Sequence, residues 1–261
     1  MSTAAAAQER IVTFADAIRE SLEESFARDE SAFVFAQGVA DPSSMWGTMK
    51  GIRERFGAER VVEMPVSENG AVGIAVGSAI CGQRPVVSFH RAEFALLAVE
   101  QIFNNAAKAH YVSNGRHCVP LVIRLVIGRG WGQGPEHSQS LEPLFAYVPG
   151  LKVVMPTFAA DAKGMLIAAI EDNNPVIFIE HRWLHFTIGP VPEGYYACAL
   201  DGPRVVRAGT DVTVVATSQA VLEAMRAAVA LETIGCSMEV LDLRVLRPLD
   251  VKPIVGSVRK T

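Results

Sequence analysis

Apolar and polar positions along the chain switch repeatedly between two periods. Residues 14–30 (FADAIRESLEESFARDE) carry apolar side chains at helical spacing, and AFVFAQ at 32–37 then reads as a buried strand. A turn-rich ADPSS leads into a helix near 46–56. Short strands follow at 61–64 and 85–89, with an apolar helix at 70–82 between them. A long helix is predicted over 94–112, then a strand at 119–127, a glycine loop at 128–134 and a short helix at 141–147. The strands 151–156 and 175–180 flank a helix at 161–172. Strands separated by helices predict an α/β fold with a doubly wound, mostly parallel sheet covered on both faces.

The pattern breaks at 184–204, which holds three prolines and two tyrosines and shows no period, as linkers do. A second β/α unit begins with DVTVVATS at 211–218, a helix at 219–232 and CSMEVLDLR at 236–244. The expected division is a first domain over 1–190, a linker over 191–204 and a second α/β domain over 205–261. Two strands make a poor sheet alone, so the second domain is expected to be truncated or to lean on a partner.

Composition narrows the function classes. Half of the 261 residues are hydrophobic, the formal net charge is -4, and no basic stripe is present, which argues against nucleic acid as a partner. The longest charge-free run, 69–83, is too short and too rich in glycine to span a membrane, and MSTAAAAQER lacks the features of a secretory signal. Cys81, Cys118, Cys198 and Cys236 are scattered and read as reduced core or near-core thiols of a cytoplasmic protein.

The familiar motifs fail. In GRGWGQG (128–134) the dinucleotide fingerprint needs glycine where Gln133 stands, and neither a Walker A lysine motif nor a G-x-S-x-G elbow occurs. His181 and His185 have metal-ligand spacing on a helix, but they lie at a strand end without the intervening glutamate, and a surface or structural pair is the better reading.

Three residues stand out for other reasons. Glu68 precedes the helix 70–82, where it would gain about 0.3–1 kcal/mol from the helix dipole. That helix carries Gly70, Gly73 and Gly77, each costing about 0.5–1 kcal/mol relative to alanine, which points to close approach of another backbone at a seam. A carboxylate there also suits a group that hands a proton or a strong hydrogen bond to a ligand. His137 follows the glycine loop and is either a solvated or a catalytic histidine. Phe94 heads the long helix and by itself reads as core.

The runs PVSENGAVGIAVGSAICGQRPVVSFHRAEF, EQIFNNAAK, VPLVIRLVIGRGWGQGPEHSQS and PGLKVVMPTFAADAKGMLIAAIEDNNPVIFIEHR resemble the beta subunit of thiamine-diphosphate-dependent 2-oxoacid dehydrogenases, of the wider transketolase-like group. The likeness covers about residues 10–259, and the S-E-N-G, H-S-Q and D-A-K-G blocks carry it. It implies thiamine diphosphate bound between this chain and an alpha subunit in an α2β2 heterotetramer. The alpha subunit would hold Mg2+ and the diphosphate through a glycine-aspartate-glycine motif that this chain lacks. Glu68 would hydrogen-bond the aminopyrimidine ring nitrogen and promote the imino tautomer that takes the thiazolium proton. Phe94 would pack on the aminopyrimidine. His137 would assist proton transfer as the acyl group of the 2-oxoacid passes to a lipoyl-bearing acyltransferase. The same likeness offers the carbonyls of Ala169 and Ile170, with Asp172 and Asn174, as ligands of a structural potassium, against an ordinary polar turn. It also places Val39 where the family usually has a glutamate that relays protons between sites, and a valine cannot carry a proton. Two other readings stand beside this one: half of a split transketolase-like enzyme, and a non-catalytic scaffold subunit. Which substrate is used, among pyruvate, branched-chain acids and acetoin, depends on pocket walls shared with the alpha subunit.

Overall fold

The computed structural model describes residues 9–41 and 43–261; residues 1–8 of the segment read for a signal peptide, and Pro42 of the ADPSS turn, lie outside the described residues. In chain order the elements are β1 (Glu9–Thr13), α1 (Phe14–Arg28), β2 (Ala32–Ala36), α2 (Ile52–Phe56), β3 (Val61–Glu63), α3 (Glu68–Ile80), β4 (Arg84–Phe89), α4 (Ala107–Val112), β5 (Val122–Ile127), α5 (Glu142–Ala146), β6 (Lys152–Val154), α6 (Ala159–Glu171), β7 (Val176–His181), β8 (Ile188–Pro192), β9 (Arg204–Arg207), β10 (Val212–Ala216), α7 (Gln219–Glu232), β11 (Met238–Asp242), β12 (Val245–Arg247) and α8 (Val251–Lys260).

Seven strands form the main sheet in the order β12-β6-β7-β5-β4-β2-β3. All neighbours run parallel except β12, which pairs antiparallel with β6 at one edge. The strand period of two explains the two cores. Along β5, Val122 and Val126 face one cluster with Phe14, Ile18 and Leu22 of α1 and Met165 and Leu166 of α6. Ile123, Leu125 and Ile127 face the other, with Val72 and Val76 of α3 and Phe145 of α5. The near-continuous apolar runs of β5 and β7 are what a sheet buried on both faces requires.

The entry to α1 shows how the chain sets its boundaries. Thr13 caps the helix by accepting from the Asp16 amide at 3.0 Å, Asp16 lies in the first turn and Arg28 in the last. The long helix expected over 94–112 is broken instead into a 3-10 stretch at Ala92–Ala98, a π stretch at Gln101–Ala106 and then α4. The helix expected near 46–56 is likewise a 3-10 turn at Ser44–Gly47 followed by the short α2.

The region read as featureless contributes β8, which pairs antiparallel with β1. The second unit has three strands rather than two: β10 and β11 run parallel, and β9 joins β11 antiparallel. Its following strand, β12, crosses into the main sheet, so the two units share a sheet edge. The two are also stitched at α6. Gly164 lies so close to the segment before β9 that a Cβ would meet Cys198 Sγ at 2.2 Å, and its carbonyl accepts from the Cys198 amide at 2.9 Å. The thiols are less buried than expected: Cys81 and Cys118 are exposed, Cys198 and Cys236 intermediate, and all four are free.

Candidate active site

In an open parallel sheet, ligands bind beyond the carboxyl ends of the strands. Here those ends are polar. β4 runs out into His90 and Arg91, β5 into the loop from Gly128, and β7 into His181 and Arg182. Gly128 has φ +106° and a Cβ there would meet the His181 ring at 2.8 Å, so glycine is required where the loop passes over β7.

Glu68 occupies the first turn of α3, as expected, and is only 7% exposed. Its carboxylate accepts no hydrogen bond among the described residues. Neither oxygen is sealed from solvent, so an arriving molecule can take water's place on it. α3 lies against the 3-10 stretch that carries Phe94, and Asn69 Nδ2 reaches the Leu97 carbonyl at 3.4 Å. On α3 itself, Ala71, Val72, Ala75, Val76 and Ala79 face the core, while Gly70, Ile74, Gly77 and Ile80 face outward. Gly73 contacts only the Gln101 side chain, and Gly77 meets nothing within 4 Å, so among the described residues no other backbone lies against the glycine face at these positions.

Phe94 and His137 are brought together: their rings meet edge to face with centroids 5.6 Å apart. His137 is held by two further groups that the sequence reading did not single out. Its Nδ1 is hydrogen-bonded to Oε1 of Glu93, a buried carboxylate, and its carbonyl accepts from Arg182 Nη2 at 3.0 Å. Arg182 also donates to Gln133 Oε1, which accepts from Arg91 Nε at 2.9 Å, so Gln133 joins two guanidinium groups at the ends of β4 and β7. Arg182 lies over the Trp131 ring, which stacks on Trp46. The only sequence signal for these residues was their place just after strand ends, in HRAEF and EHRW.

Beneath this surface lies a fully buried ionic group. Arg124 of β5 donates from Nε to Glu180 Oε1 at 2.7 Å and from Nη2 to Oε2 at 3.0 Å, and His185 Nε2 shares Oε2 at 2.9 Å. Burial alone would push the Glu180 carboxyl up, but Arg124 and His185 outweigh it and hold it down to about 2. His181 is pushed down to about 4, first by burial and then by Arg182 and His185. His185 is thus a structural histidine, and among the described residues no group of three or more His, Cys, Asp or Glu is placed to hold a metal.

The oxygens proposed for potassium are taken by the protein's own cations. Arg84 Nη1 donates to the Ile170 carbonyl at 2.9 Å and to the Asp172 carbonyl at 3.1 Å. Lys152 Nζ binds Asp172 Oδ2, and Asn174 donates to Asp172 Oδ1 at 2.9 Å through both its amides. Ala169 is buried in the last turn of α6. A potassium ion among two fixed positive charges is repelled, so these residues do not fit it. Val39 has its side chain in the main core, and its amide donates to Glu63 Oε2 at 3.0 Å. A separate cleft of about 540 Å3, lined by Phe158, Ile188, Arg204 and Leu222 among others, contains none of Glu68, Phe94 and His137.

The pattern described as transketolase, pyrimidine binding domain, matches residues 11–185, and that described as transketolase, C-terminal domain, matches 203–261. A relative from Cupriavidus necator, the beta subunit of acetoin:2,6-dichlorophenolindophenol oxidoreductase, is 39% identical over 254 residues, 94% of this chain and 75% of its own. The beta subunit of the pyruvate dehydrogenase E1 component from Rhizobium meliloti is 39% identical over 96% of this chain, which spans 55% of that relative. The mitochondrial counterpart from Caenorhabditis elegans is 41% identical over 96% of the chain and 72% of its own length. Among solved structures, a split-gene transketolase in an inactive β4 tetramer matches with a TM-score of 0.77 at 23% identity, covering 96% of this chain and 77% of that one. No helix among the described residues is long and apolar enough to cross a membrane.

Proposed function

Because the chain belongs to the transketolase-like pyrimidine-binding family, and within it to the beta-subunit relatives of E1 type, we propose that it is the beta subunit of a thiamine-diphosphate-dependent 2-oxoacid dehydrogenase. It contributes the aminopyrimidine half of a site completed by an alpha subunit, in an α2β2 heterotetramer of a bacterial-type cytoplasm. The observation that carries the reading is Glu68, 7% exposed, whose carboxylate takes no partner among the described residues and stays open to a ligand beside the segment that bears Phe94. Those two residues fit the cofactor's aminopyrimidine: a carboxylate for its ring nitrogen and an aromatic face for its ring. Thiamine diphosphate, when bound, supplies the carbon nucleophile that decarboxylates the 2-oxoacid.

The rest is the work of this chain. Glu68 shares a proton with the pyrimidine nitrogen and gains its missing hydrogen bond in doing so. Phe94 keeps water from that bond. His137, 35% exposed at its side chain, lies where it can move a proton as the acyl group leaves for a lipoyl arm. Arg91, half-buried, offers positive charge to an anionic 2-oxoacid, and the fully buried Arg182 adds to the local positive field. Mg2+ belongs with the diphosphate on the alpha subunit. The glycine face of α3 is the natural seam for that subunit. Dehydrogenase chemistry is preferred over sugar transfer because the relatives at 39–41% identity are beta subunits of an acetoin oxidoreductase and of pyruvate dehydrogenase E1 components.

The test is Glu68→Gln in the enzyme reconstituted with its alpha subunit. Decarboxylation of the best 2-oxoacid, or C–C cleavage of acetoin, should fall by about 100-fold or more. Activity within a few-fold of wild type would refute the role.

A further inference from the structure

We propose that Glu93 is the positioning residue of the site, fixing His137 in the tautomer that leaves Nε2 as its proton-accepting nitrogen. What His137 acts on rests on the proposed function; the pairing does not. An ionised carboxylate only accepts hydrogen bonds, so the ring nitrogen facing it must carry the proton. Glu93 Oε1 meets Nδ1, which makes neutral His137 the Nδ1–H form. Nε2 then holds the lone pair and has no partner among the described residues. When Nε2 takes a proton, the imidazolium has Glu93 behind it, as in carboxylate–histidine pairs generally.

Three contacts from two elements hold this one ring or its backbone. Glu93 and Phe94 are adjacent in the 3-10 stretch after β4, and Arg182 follows β7. The 3-10 stretch thus sets consecutive residues against one imidazole, the carboxylate on its nitrogen and the phenyl ring on its edge. A merely solvated loop histidine needs no such arrangement. The other charged groups about the pair are the guanidinium groups of Arg91 and Arg182, already engaged with Gln133.

The experiment is site-resolved carbethoxylation of the full chain with diethylpyrocarbonate, read by peptide mass spectrometry. Only an imidazole nitrogen with a free lone pair reacts, and the fully buried His185 serves as the folding control. Glu93→Gln should slow modification of His137 about tenfold, the size expected for losing one charge-assisted hydrogen bond. Glu93→Asp, which keeps the charge, should stay within about threefold of wild type. An unchanged His137 rate in Glu93→Gln overturns the proposal. If His185 becomes reactive in that variant, Glu93→Asp decides: a His137 rate as low as that of Glu93→Gln overturns the proposal too. In the assembled enzyme, Glu93→Gln should cut kcat for lipoyl acylation with little change in KM, while decarboxylation to an artificial acceptor stays within a few-fold. Should no 2-oxoacid be turned over while Glu93→Gln still slows modification of His137 about tenfold, the pairing stands and the proposed function falls.

Discussion

Replacing Glu180 by glutamine removes one charge from the interior and leaves Arg124 behind. The carboxylate receives three hydrogen bonds, two from Arg124 and one shared with His185, and all three side chains are fully buried. Glutamine keeps the volume but offers a single neutral acceptor. Beyond that acceptor the guanidinium would retain only Thr48 Oγ1 at 3.0 Å and Ser88 Oγ at 3.4 Å. Removing one partner of a buried pair costs about 3–5 kcal/mol. The carboxyl's own titration gives a similar size. Its fall from 4.5 to about 2 corresponds to about 3 kcal/mol of stability at neutral pH. The sign follows from the direction of that shift. A carboxyl with a depressed value favours the fold above its unfolded value, and the contribution is lost as pH falls from 4.5 towards 2. Thermal unfolding at fixed protein concentration should therefore show Glu180→Gln lower in Tm by about 6–15 °C at pH 7, and the gap should close in acid. Replacing both partners, as Arg124→Met with Glu180→Leu, should recover most of the loss. A Glu180→Gln variant within 2 °C of wild type at pH 7 would show that water reaches Arg124 and would refute the reasoning.

Asp242 should behave with the opposite sign. Burial pushes its carboxyl up to about 6 and Asp161 adds to this, against the hydrogen bonds of Thr157 and the Arg244 amide. An acid with a raised value favours the fold in its protonated form, so that stability is full below 3.8 and lost as pH rises through about 6. Asp242→Asn should match wild type near pH 4 and exceed it at pH 8 by about 1–3 kcal/mol in urea unfolding; a variant no more stable at pH 8 would contradict this. With Arg84 and Lys152 on the oxygens of Ile170 and Asp172, Tm should be the same in potassium, sodium and tetramethylammonium chlorides of equal ionic strength. A rise of several degrees specific to potassium would show that the ion displaces Arg84.

Much of the main sheet was legible because strands buried on both faces must be apolar throughout, as β5 and β7 are. β1, β8, β9 and β12 were not, because each is short and gains its stability from one distant neighbour rather than from its own pattern. The broken helix after β4 hid for another reason. Tight i→i+3 turns at Ala92–Ala98 followed by wide i→i+5 turns at Gln101–Ala106 average to nearly the α period, so the apolar spacing looks continuous. The packing of α3, through Asn69 on Leu97 and Gly73 on Gln101, accompanies the departure. Glu68, Phe94 and His137 could be named because a family likeness singles them out. Glu93 and Arg182 could not: each is a lone charge beside apolar residues, and only the fold shows that both end on His137.

The blocks that carry the family likeness differ in physical purpose. S-E-N-G and H-S-Q lie at the site, whereas D-A-K-G lies away from it. Lys163 is fully buried, with Nζ 2.8 Å from Glu24 Oε1 and 3.3 Å from Glu20 Oε2 on α1. Asp161 binds Arg204 at 2.6 Å and Arg244 at 3.1 Å, and so ties α6 to the second unit. Gly164 admits Cys198 and Tyr196 where any side chain would collide. One turn of α6 thus needs a buried anion, a buried cation and no side chain, in that order. That combination is as restrictive on sequence as catalysis is, because an unpaired charge in such a place costs several kcal/mol. Specificity of a motif for a family therefore does not mark it as chemical. The mark of the site is the opposite one: the described residues leave the carboxylate of Glu68 unpaired and open to a ligand.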